Sequence, residues 1–434
     1  MLKLLFASAE GVVMEHPQLL ATVRSGEDVL PAMQGAIGLP THAKLVQLPG
    51  RRPIGIDPAT GRMELVREVA TRGKRVSVSA VGALLPPGFT RTFLPGAVYE
   101  EGPLLPQWAY AAAAWTKEGP VTWALRTDRR THWNPSRYST ADLPARVNAH
   151  LQRFPGNPLL VQLQKCALTY RCFTSQNIFY VRDEGAIAAS VACNAHCVGC
   201  ISEQPKDGPP ASHQRIEEGP SAEAMAEVGA YHLAHASGRA MISFGQGCEG
   251  EPLTRHRAIA QAIRLIRKTT SRGSININTN GSLSDALDAL LQEGLDAVRV
   301  SLNSAVKDLY ECYYQPIGYG WDDVEASLAL ARRRRAYIAL NLLVFPGVTD
   351  RLGEVEALVE LVRRHRIDQV QTRSLAIDPM QYLEAVRGRG APGPAIGVEQ
   401  LIRRLKQAAP WLVIGNFARG LTERLQYRMA IEHA

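Results

Sequence analysis

From about residue 181 onward, short runs of apolar residues alternate with longer stretches whose apolar positions recur every three or four residues. The short runs predict strands at 187–191, 239–244, 274–279, 297–302, 337–345 and 369–377. The stretches between them, including 258–268, 284–292, 323–332 and 352–364, carry an apolar stripe at helical spacing. Strands separated by helices of that length imply parallel βαβ units. Their crossovers must share one hand, so six units either curl into an open barrel or wind on both faces of a sheet. In either arrangement functional residues belong at the C-terminal strand ends.

The first 180 residues have another texture. Extended pieces at 44–48 and 63–66 are separated by the turn Asp57-Pro58-Ala59-Thr60-Gly61, and Pro86-Pro87-Gly88 and Gly102-Pro103 break later strands. Trp108, Trp115, Trp123 and Trp133 read as core or surface anchors. The chain therefore divides into a mixed, strand-rich α/β domain over 1–180, a β/α array over 181–385, and a segment over 386–434 that opens with a Gly/Pro/Arg-rich linker at 387–397 and continues as a helix at 398–407.

With 434 residues, 46% hydrophobic and 21% charged, the chain can bury sizeable cores, and its composition excludes disordered, collagen-like and coiled-coil classes. No run of eighteen apolar residues free of charge is present, so no membrane partner is expected. Glu10 and Glu15 interrupt the apolar start before a secretion signal forms, and the expected location is the cytoplasm. Forty-nine Lys and Arg against 41 Asp and Glu leave a net charge of +8, with an arginine run at 332–335. That balance admits a nucleic-acid partner, although an arginine run closing a helix also suits the helix dipole.

Seven cysteines, an odd number at uneven spacing, do not form a disulfide framework. Three fall within eight residues just after the first predicted strand: Cys193-Asn194-Ala195-His196-Cys197-Val198-Gly199-Cys200. Three thiolates on one loop can ligate three irons of a 4Fe-4S cluster and leave the fourth iron open as a chemical site. The competing reading is structural zinc with His196 or His213 as fourth ligand. Position favours the cluster, since the triplet lies where a β/α array places its active site. Cys166, Cys172, Cys248 and Cys312 read as buried small residues, or as ligands of an auxiliary cluster or carriers of redox chemistry.

Over roughly residues 185–380 the chain resembles the radical S-adenosylmethionine superfamily, whose mark is a CxxxCxxC loop after the first strand of a partial β/α barrel. The resemblance implies a partial (β/α)6 TIM-like barrel in which Cys193, Cys197 and Cys200 hold the cluster. It also implies that S-adenosylmethionine chelates the open iron and is cleaved reductively to a 5'-deoxyadenosyl radical, which abstracts hydrogen from a substrate this sequence does not identify. Gly199 departs from the aromatic residue that the family commonly has before the third cysteine.

After the second strand, Glu249-Gly250-Glu251-Pro252 is similar to the family's GGEP motif, with Glu249 in place of the first glycine. By that resemblance Gly250, Glu251 and Pro252 hold the amino group of S-adenosylmethionine. Alternation points Arg299, Ser301 and Asn303 to one side of the fourth strand, where polar groups need a partner such as a ribose or carboxylate. Ser301 and Asn303 resemble the family's ribose and methionine contacts, Asn280 lies in a segment like the family's TNG, and Asn341 occupies a position of adenine contact. The resemblance also implies a one-electron reductant such as flavodoxin or ferredoxin. Two readings stand beside it: an RNA-modifying enzyme of the same superfamily, and a zinc or iron-sulfur protein without turnover.

Overall fold

The computed structural model describes residues 1–71, 74–99, 102–206 and 208–421. Seven parallel strands form one curled sheet in chain order: Arg182–Ile187, Ser237–Phe244, Ser274–Thr279, Ala297–Leu302, Tyr337–Val344, Gln369–Ser374 and Val413–Gly415. Helices Ala222–His235, His256–Thr269, Ser284–Gln292, Trp321–Arg333 and Leu352–Arg364 connect them, so this part is an α/β fold of partial TIM-barrel type.

Alternation along each strand separates two environments. In the fourth strand Val298, Val300 and Leu302 are fully buried in the core shared with the helices, while Arg299 and Ser301 line a cavity inside the barrel. Ile275 and Ile277 share that apolar core from the third strand, whereas Asn278, the next residue along, lines the cavity. The helices answer with matching stripes: Ile259, Ala262, Ile263 and Ile266 are the buried positions of helix His256–Thr269. A doubly covered parallel sheet is ordinarily apolar on both faces, so a polar inner face marks the barrel interior as a site.

Three expectations need correction. The first strand is Arg182–Ile187 and not 187–191; the apolar residues Ala188 and Ala189 are the buried start of the loop that follows it. A seventh strand, Val413–Gly415, pairs with the sixth beyond the six expected. The segment 387–397 is no free spacer, because Gly353 and Leu352 N–H donate to the carbonyls of Pro392 and Pro394 at 2.9 Å and Ile396 N–H donates to that of Asp350 at 2.9 Å. The helix that follows runs Val398–Ala408, and the end of this segment past 421 lies outside the described residues.

The N-terminal residues form a thirteen-stranded, antiparallel network, followed by helices Leu143–Arg153, Pro158–Leu168 and Phe173–Tyr180. Asn157 caps the second of these by accepting from Leu159 and Leu160 N–H, and its amide donates to Ala224 O (3.0 Å) and Glu227 (2.8 Å) on the first barrel helix. A separate two-stranded ribbon, Phe89–Arg91 paired with Ala124–Arg126, docks against the sixth strand and the loop after it. Thr90 Oγ1 donates to Thr372 O at 3.0 Å, Arg91 N–H to Ser374 Oγ at 3.0 Å, and the Arg91 guanidinium to Leu375 O at 2.8 Å. Beside them Arg51 forms a buried ion pair with Asp378, whose carboxylate also accepts from Leu105 N–H at 2.8 Å.

Removing one partner of a fully buried pair leaves an uncompensated charge and costs about 3–5 kcal/mol. Arg51→Ala is expected to destabilise the chain on that scale in urea unfolding, and the double variant Arg51→Met/Asp378→Asn to recover much of that stability. Equal destabilisation in the two variants would show that the ion pair does not join the two parts.

Candidate active site

The loop carrying Cys193, Cys197 and Cys200 leaves the first strand and is pinned on several sides. Val198 N–H donates to Tyr313 O (2.9 Å) and Ile317 N–H to Asn194 O (2.9 Å), fastening it to the end of helix Lys307–Tyr314. The Asn194 side chain donates to Ser282 Oγ and accepts from the Asn280 amide, both at 2.9 Å. From the N-terminal sheet side, Gln107 donates to Cys200 O at 3.0 Å. A further attachment is to the loop after the second strand: Gly250 N–H donates to Ser190 O at 2.8 Å and Glu251 N–H to Ala192 O at 2.9 Å. The two backbones approach so closely that a Cβ at Gly250 would lie 2.1 Å from Ala192 O, which requires glycine there.

Glu249 completes that attachment. Its buried Oε2 accepts from Ala189 and Ser190 N–H at 2.7 and 2.9 Å, and its Oε1 from Gln246 N–H at 2.6 Å. The residue that stands in place of a glycine is thus a strut between the two loops. Burial raises its carboxyl to about 7, against the pull of these backbone donors.

Burial, then the neighbouring thiols of Cys200 and Cys193, push Cys197 well above the ordinary thiol range, and burial is the main cause of the rise at Cys193. Glu251 is buried and also raised to about 7 by burial. Its Oε1 accepts from Thr279 Oγ1 (2.5 Å) and Leu253 N–H (3.0 Å), and its Oε2 from Asn280 N–H (2.8 Å). It caps the short turn Pro252–Arg255, in which Pro252 is the first residue. Asn280 is occupied by the cysteine loop and by Ser282 N–H, a loop-bracing role.

A cavity of about 410 Å³ opens beside the loop, lined by Cys197, Gly199 and Cys200 at one end. Ser301 and Asn341, neighbours in register across the fourth and fifth strands, both line it. Asn303 does not. The fourth strand ends at Leu302, and the Asn303 amide turns away to Leu309 O (2.9 Å) and the Tyr382 hydroxyl (3.3 Å). Alternation does not extend past the strand end.

Several residues of the site carry no signal in the sequence that marks them. Glu184, in the true first strand, accepts from Ser243 Oγ at 2.6 Å and pairs with Arg299 at 2.8 Å deep in the barrel. Burial pushes its carboxyl up, and Arg299 and Ser243 more than reverse this. Gln371 and Arg373 of the sixth strand are visible only as period-two polar positions. Tyr313 answers the departure at Gly199: a Cβ there would meet the Tyr313 hydroxyl at 2.8 Å, so the ring reaches this corner of the cavity from a neighbouring helix.

Of the other cysteines, Cys166, Cys172 and Cys248 gather beneath the glycine-rich loop. The Cys166 contact and burial raise Cys248 well above the ordinary thiol range. At Cys172 burial is outweighed by hydrogen bonds from His213, Thr174 and Ser175, which bring the thiol to about 7. His213, one of the two candidate zinc ligands, packs against the Tyr170 ring at 5.2 Å between centroids. Among the described residues no group of three or more His, Cys, Asp or Glu side chains closes around a single-ion site. The fit of the loop to a cluster rests on its donors, three soft thiols on one braced turn. Within the basic patches, Arg334 pairs with Asp288 at 2.6 Å and Arg403 with Glu399 at 2.6 Å. No helix among the described residues is long and apolar enough to cross a membrane.

A curled α/β half-barrel with polar loops braced at its C-terminal strand ends is the frame of a TIM-like enzyme. Residues 187–362 match the Radical SAM superfamily. The chain is 28% identical over 243 residues to the GTP 3',8-cyclase of Chlorobaculum tepidum, covering 55% of this chain and 64% of that protein. It is 31% identical over 120 residues to the GTP 3',8-cyclase of Microcystis aeruginosa, covering 27% and 36%. Among solved structures it is similar to a radical SAM methyltransferase from Sphaerobacter thermophilus, with TM-score 0.36, 19% identity and coverage of 54% and 66%. It is likewise similar to Streptococcus suis SuiB bound to S-adenosylmethionine, with TM-score 0.38, 13% identity and coverage of 63% and 60%. The chain spans less than two thirds of the length of the curated relatives it matches. Residues 187–362 are thus a domain of the radical SAM superfamily, whose members use a 4Fe-4S cluster and S-adenosylmethionine.

A carboxyl whose folded value is raised from 4.5 to about 7 keeps its proton in the folded chain at pH values where the unfolded chain has lost it. Its contribution to stability is full below about pH 4.5 and is lost as pH rises through about 7. Glu249→Gln is expected to make the fall of Tm between pH 5 and 7.5 shallower in calorimetry. An unchanged slope would show that this carboxyl does not titrate there.

Proposed function

We propose that Cys193, Cys197 and Cys200 hold three corners of the cluster and that the fourth corner faces the 410 Å³ cavity, where substrate and S-adenosylmethionine meet. When bound, the cofactors supply reductive cleavage of the sulfonium carbon-sulfur bond and a 5'-deoxyadenosyl radical for hydrogen abstraction. The observation that carries this reading is the placement of the braced cysteine loop at the mouth of a polar barrel interior.

This chain's own residues do the positioning. The backbone of 249–251 fixes the floor beneath the cysteine loop, and Glu251 holds the third-strand end against it through Thr279 and Asn280. Ser301 and Asn341 offer hydrogen bonds to a ribose or base on the opposite wall, and Tyr313 supplies an aromatic edge beside Gly199. The N-terminal residues, which touch Cys200 O through Gln107, close the cluster side from water and take part in substrate selection. The electron comes from a one-electron donor such as flavodoxin or ferredoxin.

After anaerobic loading with iron and sulfide, the wild-type chain is expected to form 5'-deoxyadenosine from S-adenosylmethionine under dithionite. Cys197→Ala is expected to lose both iron loading and cleavage while keeping the fold by circular dichroism. A variant that still cleaves would remove the assignment. Glu251→Ala is expected to keep the cluster and weaken S-adenosylmethionine binding in titration calorimetry, because three hydrogen bonds that hold the loop in shape are removed; unchanged affinity would refute its role.

A further inference from the structure

Buried arginines in this protein have well-made partners. Arg91 donates to Tyr110 O at 3.1 Å and to Leu375 O at 2.8 Å, and Arg24 to Ala97 O at 2.7 Å and Glu27 O at 2.9 Å. Arg51 is paired with Asp378. In the barrel, Arg299 is paired with Glu184 and also donates to Gln371 at 3.2 Å and to Asn278.

Arg373 is the exception. It lies near the C-terminal end of the sixth strand, half-buried, and lines the cavity that ends at Cys197 and Cys200. Its guanidinium makes one hydrogen bond, at 3.5 Å, to the same Gln371 oxygen that Arg299 occupies. It also lies 5.9 Å from the Phe417 ring centroid, at the outer limit of a cation–π contact. No carboxylate lies within ion-pair distance of it among the described residues. The other polar walls, Asn278, Ser301, Asn341 and Gln246, are uncharged. Glu249, the one carboxyl lining the cavity, has both oxygens committed to backbone N–H groups.

Glu184 is thus paired with Arg299, and Arg373 is a cavity-lining cation without an ion-pair partner among the described residues. Burial lowers Arg373 to about 10, with Arg299 adding to the effect, as expected for a cation short of partners. A guanidinium largely removed from water and poorly bonded costs stability unless a ligand completes it. The candidate cofactor residues lie on the first five strands and their loops, so the sixth-strand wall faces whatever occupies the rest of the cavity.

We propose that Arg373 is a substrate-binding residue that receives an oxyanion, a carboxylate or phosphate group of the substrate, at the end of the cavity opposite the cysteine loop. This assignment deepens the radical reading and takes its substrate from it. The shared chemistry is a planar, bidentate contact from the guanidinium to two oxygens.

The test uses the cluster-loaded enzyme with pyrophosphate and succinate as probes, in wild type, Arg373→Gln and Arg373→Lys. In the wild type at least one probe is expected to bind in titration calorimetry and raise Tm, with affinity falling as salt rises. Arg373→Gln is expected to bind that probe about tenfold or more weakly, the scale of one charge-assisted hydrogen bond, with Arg373→Lys between the two. Without a probe, Arg373→Gln should match or exceed the wild type in Tm, where a merely structural arginine would leave it lower. S-Adenosylmethionine affinity and uncoupled 5'-deoxyadenosine formation should stay within about twofold of wild type, whereas a guanidinium bonded directly to that cofactor would, on removal, weaken its binding about tenfold.

Which probe binds tells phosphate from carboxylate. Equal probe affinity in Arg373→Gln overturns the proposal, as does the absence of binding by either probe in the wild type. An equal weakening for S-adenosylmethionine also overturns it, because the anion received would then be the carboxylate of that cofactor. Failure of the wild type to form 5'-deoxyadenosine would instead strike the radical reading, and it is measured separately from anion binding.

Discussion

A buried carboxylate with no cation beside it, Glu249, joins the two loops on which the site is built. One oxygen takes the N–H groups of Ala189 and Ser190 where the chain leaves the first strand, and the other takes that of Gln246 where it leaves the second. Three hydrogen bonds from two loops to one buried carboxyl tie those loops to each other. Gly250 then lets the backbones touch, and Glu251 passes the constraint to the third strand through Thr279 and Asn280. Desolvation opposes both carboxylates, which is why each is raised to about 7. The site is thus held by groups that are individually uncomfortable and jointly satisfied.

How much of this the sequence shows depends on whether a signal is local. The third and fourth strands are legible because Ile275, Ile277, Val298 and Val300 alternate strictly with polar residues, and their observed bounds match the expectation. The cysteine spacing is legible for the same reason. The first strand is displaced from its expected place because an apolar run attracts a strand assignment, while Arg182-Asp183-Glu184-Gly185 reads as a turn; only the fold shows Glu184 as the partner of Arg299, 115 positions away. Val413–Gly415 is too short to carry a period. Asn303 lies off the cavity because alternation holds only while the strand lasts. Tyr313 has no signal linking it to Gly199, since their contact is created by the packing of a helix from a distant part of the chain.

The N-terminal residues and the barrel share the sixth strand as a common wall. Thr372 O and Ser374 Oγ accept from Thr90 Oγ1 and Arg91 N–H of the two-stranded ribbon, while Gln371 accepts from both Arg373 and Arg299. Ser374 belongs to both surfaces: its hydroxyl accepts from Arg91 N–H and it lines the cavity beside Arg373. Thr372 and Ser374 are each a single peptide from Gln371 or Arg373, so the seating of the ribbon sets the position of the cavity wall. The loop before strand Tyr110–Ala111 also reaches the cysteine loop, where Gln107 donates to Cys200 O. In the proposed function these contacts are what tie the N-terminal residues to the shape of the cavity.

The charge inside the barrel follows a gradient. At one end lie three thiols that become anionic when they ligate metal. At the other stands Arg373, with the Arg299 and Glu184 pair below it. In the proposed function the cofactor is a sulfonium cation, which is attracted to the thiolate end and repelled by the guanidinium end. An anionic substrate experiences the reverse. Both forces act in a cavity with low-dielectric walls, where they are stronger than in water. On the proposed function, the charge of the lining therefore favours the cofactor beside the thiols and an anionic substrate beside Arg373.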